Sequence, residues 1–247
     1  MSSGGDSIES VRKTLRLIEI LSAHNGELTV TQLARMLDCS VSSANRFLQT
    51  LAYAGYVEKN TFTNRYELTY RLYTLGHQLI EHNYMVREMI PVAHAVSQKY
   101  DISVNINGFS GKDALLLFRV TRFYNKDLDF MSGQSAPAYC TSSGKAILSQ
   151  FTPKQLDAYF DGVSFTAYQG KTITEAELRE ELAQARRVGY ATCTEEYVSG
   201  IFSLSFPVRD KNDGLYAFTL ITTMRSRQRI IRQEVLREVQ NRLAALT

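Results

Sequence analysis

The repeat of apolar residues changes period once along this chain, near residue 100, and that switch limits what it can fold into. Up to about residue 98 the apolar positions recur at intervals of three and four; from Ile102 they alternate, as Ile102, Val104 and Ile106 do. A chain of 247 residues has room for two domains of about 100 to 150 residues, each burying its own core without covalent staples. The expected architecture is a helical first part with at most a small hairpin, followed by a mixed α+β domain.

Local signals divide the helical part. Val11, Leu15, Ile18 and Leu21 mark a first helix that stops near Asn25-Gly26. Thr29-x-x-Gln32 is a capping box for a short second helix carrying Leu33, Ala34 and Leu37. Ser40 suits the N-cap of a third, over about 41–54, which Gly55 closes. Tyr56–Lys59 and Arg65–Leu68 then read as two short strands around a polar turn. Three short helices and a hairpin make a winged helix-turn-helix. On the third helix Ala44, Phe47, Leu48 and Leu51 form an apolar stripe, and Ser42, Asn45, Arg46 and Gln49 lie on a polar face, with Ser40 and Ser43 at its start. Arginine pairs bidentately with guanine and Asn or Gln with adenine in the major groove, so this face suits double-stranded DNA; a plain solvated face is the alternative. Arg65 and Arg71, beside the wing, stand where phosphate contacts are expected.

Residues 71 to about 98 continue as a helical stretch through Leu72, Leu75, Leu79, Met85, Met89, Val92 and Val96, with an interruption expected near Pro91. Its apolar face would cover either a partner chain or its own domain. Strands are then expected at 114–120, 128–131, 190–194, 201–208 and 215–222, the last two joined by a hairpin at Asp210–Gly214. Thr152-Pro153-x-Gln155 and Thr174-x-x-Glu177 open helices, Gly189 closes the second, and an amphipathic helix is expected at about 226–246.

Composition excludes several functions. With 28 Lys and Arg against 25 acidic residues, any basic site is local. The longest apolar run, Ala114–Phe118, is far short of the roughly 20 residues of a membrane span, and the polar start has no signal-peptide core, so a cytoplasmic protein without a membrane partner is expected. Cys39, Cys140 and Cys193 are widely spaced, and no two of His77, His82 and His94 stand four apart, so no metal and no cofactor are expected. Cys140, Thr141, Ser142 and Ser143 could be nucleophiles, but no histidine follows His94, which leaves Glu195-Glu196 as the acid/base candidate. Ser143-Gly144-Lys145 is no P-loop: Tyr139 stands where the first glycine belongs and Ala146 where a hydroxyl belongs. What remains is a run of small hydroxyl residues, Thr141–Gly144, at a strand-to-helix passage that suits a small ligand better than catalysis. The rival is an enzyme or ligand-binding protein whose N-terminal helices only oligomerise.

These residues resemble the isocitrate-lyase-regulator (IclR) family of bacterial and archaeal transcription factors. The likeness rests on Val11–Leu21, Leu33-Ala34, Ser42–Leu51, Gly55-Tyr56-Val57, Tyr66-x-Leu68 and Leu75-Gly76, and later on Gly144-Lys145-Ala146, Gly189-Tyr190, Glu195-Glu196, Gly200 and Phe206-Pro207-Val208. It implies a winged helix-turn-helix over residues 1–70, a linker helix over 71–90 and a GAF-like effector domain, an antiparallel sheet with surrounding helices, over 91–247. It further implies a homodimer or homotetramer on a palindromic operator, usually repressing and sometimes activating a catabolic operon, and a small-molecule effector that is typically an organic acid. Carried over residue by residue, the pocket would comprise Met131, Ser142, Ser143, Gly144, Cys193, Ser203 and Thr222.

The chain departs from the family pattern in places. Val41-Ser42-Ser43 stands where a Lys-Ser-Thr run is common, so one phosphate-directed cation is missing, while Arg46 is kept. In the pocket Cys193 replaces an acidic residue and Ser203 a cysteine, and Leu220 fills a hydroxyl position with Thr222 two further on. By this reading the pocket has lost one carboxylate and one hydroxyl.

Overall fold

A computed structural model describes residues 8–24, 27–123, 131–168 and 172–247, which form two compact units divided between Leu79 and Ile80. In the first unit α1 (Glu9–Ala23), α2 (Val30–Met36) and α3 (Val41–Tyr53) precede a hairpin of β1 (Val57–Lys59) and β2 (Tyr66–Leu68). The Thr29–Gln32 capping box and the Ser40 cap form as expected, and Gly55 takes φ +77, so the chain leaves α3 through a left-handed residue. Leu28 adds a backbone bridge to Tyr66, a third rung of the wing that no strand-length pattern announces. The core joins Leu17, Ile20 and Leu21 to Leu33, Leu48, Leu51 and Val57. On α1, Val11 and Leu15 of the expected stripe are instead exposed, because the helix carries two apolar faces and the core takes the one through Leu17.

The helical stretch after the wing breaks at His82-Asn83, giving α4 (Arg71–Glu81) and α5 (Tyr84–Tyr100), and not at Pro91. Asn83 caps α5 by accepting the Val86 N–H, whereas Pro91 lies inside α5 on its exposed side, where solvent can reach the carbonyl that its missing N–H leaves unpaired.

The second unit is built on an antiparallel six-stranded sheet in the order β5-β4-β3-β8-β7-β6, comprising β3 (Ser103–Ser110), β4 (Asp113–Val120), β5 (Ser135–Pro137), β6 (Ala191–Thr194), β7 (Ile201–Arg209) and β8 (Leu215–Thr223). Of the strand expected at 128–131, residues 128–130 lie outside the described residues and Met131 belongs to no strand. Helices α6 (Ser142–Leu148), α7 (Pro153–Phe160) and α8 (Glu175–Val188) come between β5 and β6, the last two opened by the expected capping boxes and α8 closed by Gly189 at φ +82. The final helix, α9 (Gln233–Ala244), starts later than the pattern suggests. Arg225 to Arg229 offers five polar residues with no apolar stripe and forms a 3-10 turn within Met224–Arg229.

Both faces of this sheet are covered. One presents Val104, Ile106, Leu204, Phe206, Phe218 and Leu220 to α5 and α9. The other, one residue out of phase, meets α6, whose seven residues are all buried. The approach is close: a Cβ on Gly144 would lie 2.2 Å from Ala138 Cα and 2.3 Å from its carbonyl oxygen. Among the described residues no helix is long and apolar enough to cross a membrane. Gly144→Ala should therefore push the Ala138–Cys140 turn off α6 and lower unfolding free energy by about 3 kcal/mol, read as a fall in urea midpoint at unchanged slope. A midpoint equal to wild type would contradict this close contact.

Candidate functional site

Two candidate surfaces follow, one in each unit. On α3 the Ser40 hydroxyl accepts the Ser43 N–H (3.1 Å) and donates to Ser43 Oγ (2.9 Å), so these two hydroxyls are engaged with each other as the helix cap. Ser42, Arg46 and Gln49 are exposed and Asn45 is half-buried, forming one polar stripe opposite Ala44, Leu48 and Leu51. In the wing, Asn60 Oδ1 accepts the N–H groups of Phe62 and Thr63, and Asn64 takes φ +56, which holds a tight turn with Phe62 96% exposed at its tip. Arg65 is exposed and stands 3.6 Å from Glu27, a solvent-screened pair that leaves it free to exchange partners. Arg71 does not reach out; its guanidinium lies 5.0 Å from the ring centre of Tyr56.

The second surface is a cavity of about 660 Å³, counting its mouth, between the sheet and the start of α6. That size suits a small organic ligand. Of the expected pocket residues, Ser142, Ser143, Cys193 and Ser203 line it. Three do not. Met131 is 72% exposed, and its backbone N–H donates to Gln134 Oε1. Gly144 faces the Ala138 backbone. Thr222 pairs with Phe202 and has the same parity as Leu220, so the alternation of β8 puts both on the face away from the cavity. The cavity face of β8 carries Thr219 and Ile221 instead, so a hydroxyl does stand on that strand, one residue before Leu220.

A chain of hydroxyls backs the cavity. Ser205 Oγ donates to Ser142 Oγ (2.8 Å), which donates to Ser203 Oγ (2.7 Å); Ser205 and Thr219 hydroxyls are 2.9 Å apart, and Thr219 donates to Asn107 Oδ1 (3.2 Å). Asn105, Asn107 and Thr219, all lining residues, are absent from the sequence expectation. A signal was available: Ser103-x-Asn105-x-Asn107 and Ser203-x-Ser205 place polar side chains at period two between apolar ones. In a strand covered on one side such residues face water; here the second face is also covered.

The catalytic candidates are held in structural roles. Lys145 is buried, with its ammonium 2.5 Å from Glu196 and 2.6 Å from Glu181. Burial works against that charge, but the two carboxylates outweigh it and hold the Lys145 pKa above its ordinary value. Glu195 takes φ +55 and accepts the Gly200 N–H, so neither member of the acidic pair is poised as a base. Burial, then the neighbouring thiol and Glu196, push Cys140 up to about 12; burial and Glu196 push Cys193 up to about 11. Among the described residues no group of three His, Cys, Asp or Glu could hold a metal ion.

Comparison with known proteins covers both units. Residues 10–61 match the family model described as the IclR helix-turn-helix domain, and residues 77–246 match the bacterial transcriptional regulator IclR C-terminal domain. Among curated proteins, the chain is 26% identical over 207 residues to the HTH-type transcriptional regulator KdgR of Escherichia coli K12, covering 83% of this chain and 78% of that protein. Among solved structures, the fold matches an IclR transcriptional regulator from Alicyclobacillus acidocaldarius (TM-score 0.76, 20% identity, 98% of this chain and 96% of that one). It also matches an IclR homologue from Microbacterium hydrocarbonoxydans complexed with 4-hydroxybenzoate (TM-score 0.78, 18% identity, 96% and 98%).

The thiol environments give a direct test. At pH 8 a thiol at about 12 is about one part in 10⁴ thiolate, so a disulfide reagent should titrate only half-buried Cys39 quickly in the native protein and all three cysteines in denaturant. Two or more fast native thiols would contradict the described burial.

Proposed function

Because the chain belongs to the IclR family of bacterial transcriptional regulators, we propose that it represses a catabolic operon by binding a palindromic operator as a dimer or tetramer and releasing it when a small effector fills the cavity. The observation that carries this reading is the exposed stripe of Ser42, Asn45, Arg46 and Gln49 on a capped α3, opposite a fully buried face. Arg46 and Gln49 would read base edges and Ser42 a phosphate or base edge, while Ser40 and Ser43 fix the helix start and Arg65 contacts the backbone from the wing. Self-association is supported by apolar side chains left in solvent: Val11 and Leu15 on α1, and Tyr73 and Leu79 on α4, a helix that buries no residue. Two recognition helices related by a two-fold axis need half-sites about one DNA turn apart, or a multiple of it. The bound 4-hydroxybenzoate of the Microbacterium homologue supports reading the second unit as a sensor of small molecules.

Gel-shift titration on DNA from upstream of its own gene checks the first half: Arg46→Ala should weaken operator binding by about 1–3 kcal/mol, roughly five- to 150-fold. Unchanged affinity would remove Arg46 from the interface. The second half is checked with Ser143→Leu, which fills the cavity and should leave operator affinity as in wild type while abolishing release by the effector. Normal release by that variant would move the effector site elsewhere.

A further inference from the structure

Asn105 is more than nine-tenths buried and lines the cavity, yet its side-chain oxygen has no hydrogen-bond donor. Buried amide oxygens are nearly always paired, so an unpaired one on a cavity wall marks where a donor belongs. Its neighbours are already engaged: the hydroxyls of Ser142, Ser205 and Thr219 donate or accept along one chain that ends on Asn107. Ser203 closes the other end by accepting from Ser142, which leaves its own O–H for the cavity. The site thus presents an acceptor at Asn105 and a donor at Ser203, flanked by the apolar Leu116, Val198 and Ile221.

Its charge is as informative. None of the lining residues is ionisable as an acid or a base near neutral pH, the buried thiol of Cys193 included. Behind the wall, one ammonium on Lys145 faces two carboxylates, a local excess of one negative charge. At Cys193 the carboxylate of Glu196 raises the thiol more than Lys145 lowers it, so the field at that wall opposes an anion. Thr141 Oγ1 already accepts the Gly144 N–H at the start of the short α6. Arg119, in register opposite Asn105, does not line the cavity and has an interaction of its own.

We propose that the effector is a small uncharged hydroxylated molecule, a polyol, sugar or lactone, with one hydroxyl donating to Asn105 Oδ1 and another atom accepting from Ser203. This rests on the cavity being the effector site. The test is calorimetric titration of the full chain with polyols, monosaccharides and lactones, each paired with its carboxylate counterpart, such as glucitol with gluconate. At least one neutral member should bind tenfold or more tightly than its acid; Asn105→Leu should weaken it at least tenfold, and Asn105→Asp, which keeps the acceptor, should retain more affinity than Asn105→Leu. Should Asn105→Leu fail to fold, Ser203→Ala carries the test with the same expected tenfold loss. No binding by any neutral member overturns the proposal. So does tighter binding of an acid; if Ser143→Leu abolishes that binding, the effector site stands and only the ligand class falls. Binding indifferent to Ser143→Leu and Asn105→Leu alike would overturn the effector site itself.

Discussion

Helix α6 wedged against the second face of the sheet is the contact on which the sensor unit depends. Seven residues, all buried, can lie there because Gly144 has no Cβ to strike the Ala138 backbone and because Lys145, which would otherwise bury a bare charge, meets Glu196 and Glu181 from the β6–β7 connection and from α8. That placement brings Ser142 onto Ser203 and Ser205 and leaves the cavity between helix and strands. A shift of α6 would be felt at once by three other elements, which is the kind of joint through which a bound molecule can bias a larger arrangement.

The first unit was legible almost residue by residue, since its signals are local. A capping box at Thr29–Gln32, a serine cap at position 40 and a left-handed glycine at 55 each declare a boundary through backbone hydrogen bonds within a few residues. The sensor unit was legible in its strands and less so in its site. Alternation locates a strand without saying how many of its faces are covered, so Asn105, Asn107 and Thr219 passed unnoticed although they line the cavity. Parity also explains the misplacement of Thr222: one residue along a strand is the difference between the cavity and the opposite core. Met131 was carried over from likeness alone and lies exposed. The helix break at Asn83 was missed because proline is the louder signal; on an exposed helix face its cost is small enough for the cap to decide.

Polar groups in the two units are put to different uses. On α3 they stay in water, where a charged groove of DNA can replace solvent with little rearrangement. In the sensor unit they are buried and tied to each other, which rigidifies the wall and leaves one amide oxygen and one hydroxyl to discriminate among ligands. A regulator gains from that division, because affinity for a long anionic partner and selectivity for a small one call for opposite treatments of solvent.

The central claim, that this chain is a DNA-binding regulator acting through α3 and the wing, is tested most directly by its salt dependence. Anisotropy titration of a labelled duplex from upstream of its own gene, between about 50 and 200 mM salt, should give a specific complex whose log affinity falls linearly with log salt, by about 0.9 for each phosphate contacted. Affinity that is absent at the low end, or independent of salt across the range, would contradict the account.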